Sequence, residues 1–235
     1  MTAAATHPRP SVDHCPLPAG TIAIGVAAIV LLILADTWNH RIPVIVTLGG
    51  VSTIAVGGEM WRRRHRMIAT AVSLGGVAML VIGFATAITA IESISHRLIL
   101  FLGVPGLALL GIALALPIGW YTRGVVMAGT GLVFGAVLTS GILNTASLPF
   151  VVVTGTATIL AWDAADHGVG LGKQVGRDAR TWRASLVHLS MTALAGGVIV
   201  VSALAAHRFA RVGLSLTALV VLILSCIALA LAIRH

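Results

Sequence analysis

Residues 98–116 read LILFLGVPGLALLGIALAL, without one charged side chain. As a helix rising about 1.5 Å per residue, such a run reaches about 28 Å, close to the thickness of a bilayer's hydrocarbon core. The same pattern recurs outward in both directions. Apolar runs fall near 19–36, 42–61, 67–91, 97–120, 124–142, 147–166, 184–206 and 212–233, filling the chain almost end to end. Of the 235 residues, 58% are hydrophobic and 9% charged, and mean hydropathy is +1.04. Soluble domains carry about 25% charged residues. The chain therefore reads as an all-α, polytopic integral membrane helix bundle of about eight transmembrane helices. Residues 1–18, rich in Pro, Ala and Thr, form a disordered cytoplasmic tail, and 19–235 a single transmembrane domain.

The breaks between runs fall at polar turns: Asp36 to Arg41 followed by Pro43, Trp61 to Arg66, Glu92 to Arg97, and the pair Arg208 and Arg211. Pro117 before span five, and Asn144 with Pro149 after it, leave that span the weakest crossing. Charge sets the orientation, because Lys and Arg collect in cytoplasmic loops. With the N-terminus inside, the cytoplasmic face receives Arg9, Arg62, Arg63, Arg64, Arg66, Arg123, Lys173, Arg177, Arg180, Arg183 and Arg234. The far face receives only Arg41, Arg97, Arg208 and Arg211. Both termini are thus expected inside. Trp61, Trp120, Tyr121, Trp162 and Trp182 fall near the same cytoplasmic ends, where an aromatic belt would place them.

The formal net charge of +8 would suggest nucleic acid in a soluble protein. In a membrane protein it is headgroup-facing charge, and the expected partner is the lipid bilayer rather than a nucleic acid. Arg62, Arg63, Arg64 and Arg66 are accordingly assigned to topology and lipid headgroups, with Glu59 one turn away as a partner for Arg62 or Arg63. Cys15 and Cys226 lie too far apart in depth to form a disulfide. Leu48-Gly49-Gly50-Val51 with Gly57 and Leu74-Gly75-Gly76-Val77 with Gly83 repeat one spacing in consecutive helices. Close helix packing through small residues accounts for it better than a transporter-type internal repeat does.

Residues 162–183 form the most individual segment. Gly170, Gly172 and Gly176 are one residue too widely spaced for a dinucleotide fingerprint and no strand precedes them. Gly172-Lys173 is followed by Gln174, and the first glycine of a phosphate loop would fall on His167. Asp163, Asp166 and His167 share a helical face and could in principle ligate a cation, yet no second cluster completes a shell. The segment at 163–183 reads instead as an amphipathic cytoplasmic continuation of span six. In it Asp163, Asp166, His167, Gln174 and Asp178 supply polarity, Val169, Leu171 and Val175 lie at the membrane surface, and Lys173, Arg177, Arg180 and Arg183 face headgroups or an acidic partner.

In this segment Trp162, Asp163, Asp166, Leu171, Gly172, Gln174, Gly176 and Arg177 spell W-D-x-x-[DE]-x-x-x-x-L-G-x-Q-x-G-R. That stretch resembles one in poorly characterised multispanning membrane proteins of archaea and actinobacteria. Genes for that family often lie near those for MoxR-type AAA+ ATPases and for partners with von Willebrand-type domains. The resemblance implies a membrane component of a chaperone-like assembly system and transfers no catalytic residue. It covers less than a tenth of the chain, which departs from the archaeal members in being basic and in lacking an evident soluble extension.

Apart from Glu59 near one end, the runs contain no acidic, Lys or Arg side chain near a centre, unlike ion-coupled carriers. His188 reads as interfacial; His96 and His207 border outer turns. Hydroxyls remain as polar liners: Thr86, Thr89, Thr139 and Ser140, then Thr154, Thr156 and Thr158. Ser140-Gly141 lacks a histidine placed to activate it. The expectation is a non-enzymatic membrane subunit or scaffold, without cofactor or metal, in a prokaryotic plasma membrane, actinobacterial or archaeal by the resemblance. It engages a cytoplasmic protein through Asp163, Asp166, His167, Lys173, Gln174, Arg177, Arg180 and Arg183. The alternative is a small-solute transporter or channel lined by the Thr and Ser stripes. No pattern specifies a substrate or an oligomeric state.

Overall fold

The computed structural model describes residues 17–89, 91–116, 121–143, 145–175 and 182–210. Among them there are seven α-helices and no strand: α1 Leu17–Leu34, α2 Trp38–Arg62, α3 Arg66–Thr89, α4 Ile94–Ala115, α5 Thr122–Ile142, α6 Leu148–Val175 and α7 Trp182–Ala210. The last six are long and apolar enough to cross a membrane, the make-up of an integral membrane protein, whereas α1 is shorter. The expected eighth span at 212–233 lies outside the described residues, as do the tail up to residue 16, Cys226 and Trp120. Span five, the weakest in the sequence, is an unbroken helix of 21 residues. The chain divides into two units, Met1–Gly196 and Gly197–His235. The second is described only as far as Ala210, where it continues α7 as a helix whose residues 198, 199 and 201 are exposed apolar side chains.

Within the first unit α2 pairs with α3, α4 with α5, and α1 lies against α6 while touching α4, α2 and α5. The sequence of α1 explains its central place. Ala19, Ala23 and Ala27 recur every four residues and form a flat, fully buried face, while Val30 and Leu31 fill the core beyond it. Leu31 enters the notch left by Gly103 on α4, where a Cβ would meet it at 2.4 Å. Val44 of α2, Leu107 and Leu110 of α4, and Val126, Val133 and Val137 of α5 complete a dry interior.

Lipid tails are as apolar as these side chains, so close packing rather than hydrophobicity holds membrane helices together. The paired Leu-Gly-Gly-Val motifs supply that packing. Gly50 and Gly76 meet at the crossing of α2 and α3, and a Cβ on Gly76 would stand 2.8 Å from the Gly50 carbonyl oxygen. Gly106 and Gly129 meet in the same way between α4 and α5.

The start of α2 differs from the expected one. α2 starts before Pro43, with Arg41 N–H bonding to Thr37 O. Pro43 therefore lies two residues inside the hydrogen-bonded ladder and leaves Asn39 O without an N–H from position 43. Thr47 also donates its hydroxyl to Pro43 O at 2.7 Å. α6 runs on past the apolar run that ends at Asp166, as far as Val175, in keeping with the expected continuation of span six.

Candidate functional site

The prolonged α6 changes what residues 163–175 are. They were expected at the membrane surface, yet Ala164, Ala165 and Val169 belong to the buried core, with Val169 only 6% exposed. The expected surface role of Val169 is thereby corrected, and its partner is the apolar interior that α6 shares with α1. Asp163 lies nearer the middle of the apolar stretch Leu148–Gly172 than its end.

A carboxylate at that position requires partners, since an unpaired charge in an apolar setting is expensive. Two come from α7. His188 Nε2 lies 2.8 Å from Asp163 Oδ2, and the Thr192 hydroxyl donates to the same oxygen at 2.9 Å. His188 and Thr192 are four residues apart, one above the other on a helical face, as are Asp163 and His167 on α6. The His167 ring lies on the His188 ring, with centroids 3.9 Å apart and planes within 9° of parallel. His167 Nε2 is buried without a hydrogen-bond partner among the described residues. The side chains of Asp163 and His188 retain 29% and 36% exposure. Their contact is thus worth about 1 kcal/mol, the scale of hydrogen bonds between membrane helices, and not the several of a fully buried pair.

Asp166 is held from the other side. Arg123, at the start of α5, donates to both carboxylate oxygens through Nε and an Nη, a planar fork matched to a carboxylate. Asp163, Asp166 and His167, expected to engage a partner protein, join α6 to α5 and α7. Among the described residues no group of three His, Cys, Asp or Glu side chains could hold a metal ion. The stack itself presents ring faces, not nitrogens, to its neighbour. Arg177 and Arg180 lie outside the described residues, and Lys173 and Gln174 are described only as helical backbone. Arg183 is exposed.

The sequence offered one signal for this cluster that had been passed over. Polar pairs four residues apart, Asp163 with His167 and His188 with Thr192, flank a polar connection between two apolar helices. A second cluster at the other end of the helices was also missed. There His96 Nε2 lies 3.0 Å from Asp36 Oδ2, and its ring stacks on His40 at 4.5 Å. Beside it Arg41 donates to Ala35 O at 3.2 Å and Arg97 to Ile91 O, so both engage backbone carbonyls at helix ends.

The end bearing Arg123 also gathers Arg62, Arg63, Arg64 and Arg66. Gly58 of α2 faces Leu116 and Ala115 at the end of α4, so the α2–α3 turn and the α5 start share one end of the bundle. Arg62, Arg63, Arg64 and Arg66 are all exposed there. Glu59 pairs with both Arg62 and Arg63, an exposed contact of little worth. Trp61, Tyr121 and Trp182 are exposed near this end and Trp38 at the other, where amphipathic rings sit at a membrane surface.

Thr130 and Thr158 border a hollow of about 220 Å³ with Met127, Phe134, Ile159 and Trp162, while their hydroxyls bond within their own helices. Thr154 and Thr158 are buried and give their hydroxyls to Phe150 O and Thr154 O of their own helix, and Thr130 gives its own to Val126 O. Replacing Thr154 and Thr158 together with Val removes hydroxyls that bond only locally. It is expected to shift stability by less than about 1 kcal/mol in either direction, checked by denaturant unfolding in mild detergent. A loss well above that would mean the hydroxyls hold something besides their own backbone.

A family model described as a family of unknown function (DUF7519) matches residues 76–230, a range that takes in Arg123, Asp163, Asp166, His167, His188 and Thr192. No curated protein and no solved structure matches the chain.

Proposed function

We propose that this chain, which belongs to the DUF7519 family, is a non-enzymatic membrane subunit that offers the arginine-bearing end of its helix bundle to a cytoplasmic protein. One observation carries this reading. The interior is filled by interlocking apolar side chains and glycine contacts, while exposed Arg62, Arg63, Arg64, Arg66 and Arg183 gather at one end. A filled interior supports holding a position in the membrane over passing a solute through it, and a basic end suits an acidic partner surface. In this reading the basic end is cytoplasmic, by the bias of Lys and Arg toward that side, and the membrane is a prokaryotic plasma membrane. The partner is a MoxR-type ATPase assembly, the class implied by the resemblance at Trp162 to Arg177.

The test is affinity purification of tagged full-length protein from native membranes in mild detergent, beside a variant with Lys173, Arg177, Arg180 and Arg183 all changed to Ala. The expected result is a stoichiometric cytoplasmic partner with the parent chain and its loss, by at least about tenfold, with a variant that elutes as the same folded species. Absence of any specific partner from both overturns the reading.

Small-solute transport is the second reading. It draws on a hollow of about 270 Å³ at the opposite end, lined by Ile33, Leu34, Asp36, Thr145, Ser147 and Phe150, where a polar rim meets an apolar floor. Uptake into vesicles carrying only this protein would support it over the scaffold.

A further inference from the structure

α7 is attached to the rest of the first unit in an unusual way. Up to Gly196, α7 lacks the close backbone approach that α2 makes to α3 and α4 makes to α5. Leu186, Val187, Met191 and Leu194 are exposed. It is held by Leu189, packed against the buried apolar cluster, by Gly196 against Thr156 and Leu160, and by the polar group of Asp163, His167, His188 and Thr192. Ser185, a turn before His188 on the same face, is buried with its hydroxyl unpaired among the described residues.

We propose that the stacked His167 and His188 with Asp163 form a proton-binding site whose occupancy decides whether α7 lies on α6. Imidazole is the side chain that changes charge between roughly pH 5 and 8. With one proton fewer than the stack can hold, His188 donates Nε2–H to Asp163, and at most one positive charge sits beside that carboxylate. A further proton on His167 sets two imidazolium rings face to face at 3.9 Å, in a partly buried place where like charges repel more than in water.

Among the described residues, Asp163 and Asp166 are the carboxylates that favour that second proton, and each already has a partner. On α6 Asp163 is already engaged by His188 and Thr192, and Asp166 is held by Arg123 from α5. On α7 the nearest further charge is Arg183, itself positive and exposed. α1, on the other flank of α6, has no ionisable side chain. The repulsion is relieved by parting the rings, which draws α7 off α6 against the contacts of Leu189 and Gly196. The sign is therefore fixed: the docked arrangement holds above the imidazole range and is lost as pH falls through it.

The test uses the full chain in lipid nanodiscs with Cys15 and Cys226 changed to Ser. Spin labels are placed at Ile159→Cys on α6 and Leu194→Cys on α7, both exposed positions. At pH 8 one narrow distance distribution is expected. At pH 5 a longer and broader one should appear, returning to the first when pH is restored. His167→Gln, which cannot take the second charge, should stay narrow at both pH values. His188→Gln keeps a donor for Asp163 and provides the same check should the first variant not fold. An unchanged distribution between pH 8 and pH 5 in the parent overturns the proposal, as does acid broadening that persists in the folded Gln variants. Neither outcome depends on whether a cytoplasmic partner exists.

Discussion

Gly76→Leu is expected to leave α2 and α3 unable to close on each other, and to cost the protein most of its folded population in detergent. A Cβ at position 76 stands 2.8 Å from Gly50 O and 3.0 Å from Ile54 N, and on Gly50 it stands 2.9 Å from Gly76 O. These are backbone atoms, which cannot rotate away as a side chain can. Overpacking a well-filled site costs about 1–3 kcal/mol even when neighbours yield, and a leucine at a backbone crossing belongs at or above the top of that range. No gain in burial offsets it, because in lipid the lost packing is the attraction itself. Gly75→Leu is the control: one residue away on the same helix, its Cβ meets nothing within 4 Å. The measurement is the thermal unfolding midpoint and the monodisperse fraction of each variant. Equal behaviour of the two would remove the crossing from its assigned role.

The second large effect is all-or-none. In a chain with Cys15 and Cys226 changed to Ser, His65→Cys in the α2–α3 turn should react with a membrane-impermeant maleimide only after cells are opened. Ser93→Cys, between α3 and α4, should react in intact cells. Both positions are exposed, so access to the thiol depends on the side of the membrane alone. The basis is the asymmetry between Arg62, Arg63, Arg64 and Arg66 around the first turn and Arg97 near the second, whose guanidinium already bonds to Ile91 O. Labelling of both thiols from the same side would remove the proposed orientation, and with it the cytoplasmic face on which the scaffold reading depends.

The helices were legible because each is a long apolar run bounded by charges or Pro, and α3, expected at 67–91, occupies Arg66–Thr89. The repeated Leu-Gly-Gly-Val pattern was legible too, since glycine in a membrane helix has few uses besides close approach. The partners of the polar residues on α6 were not. Asp166 and His167 look like a solvated helix end until Arg123 is seen beside the carboxylate, and that arginine is 43 residues away in sequence. The same holds for Asp163 with His188, a polar pair set within two apolar helices. Local pattern cannot report a charge whose partner comes from another helix, and for that reason the candidate site, unlike the fold, emerged only from the structure.

The place of α1 has a consequence for how the protein is made. α2 meets α3, and α4 meets α5, as soon as each pair has been synthesised, so these hairpins assemble from neighbours in the chain. α1 precedes them all, yet its principal companion is α6, which leaves the ribosome more than a hundred residues later. Its alanine face must wait in lipid while four other helices insert. That face is flat, small and free of charge, and so can be solvated by acyl chains and then vacated by them without leaving a polar group stranded. Biogenesis thus runs from the middle of the sequence outward, and the first helix inserted is among the last to find its seat.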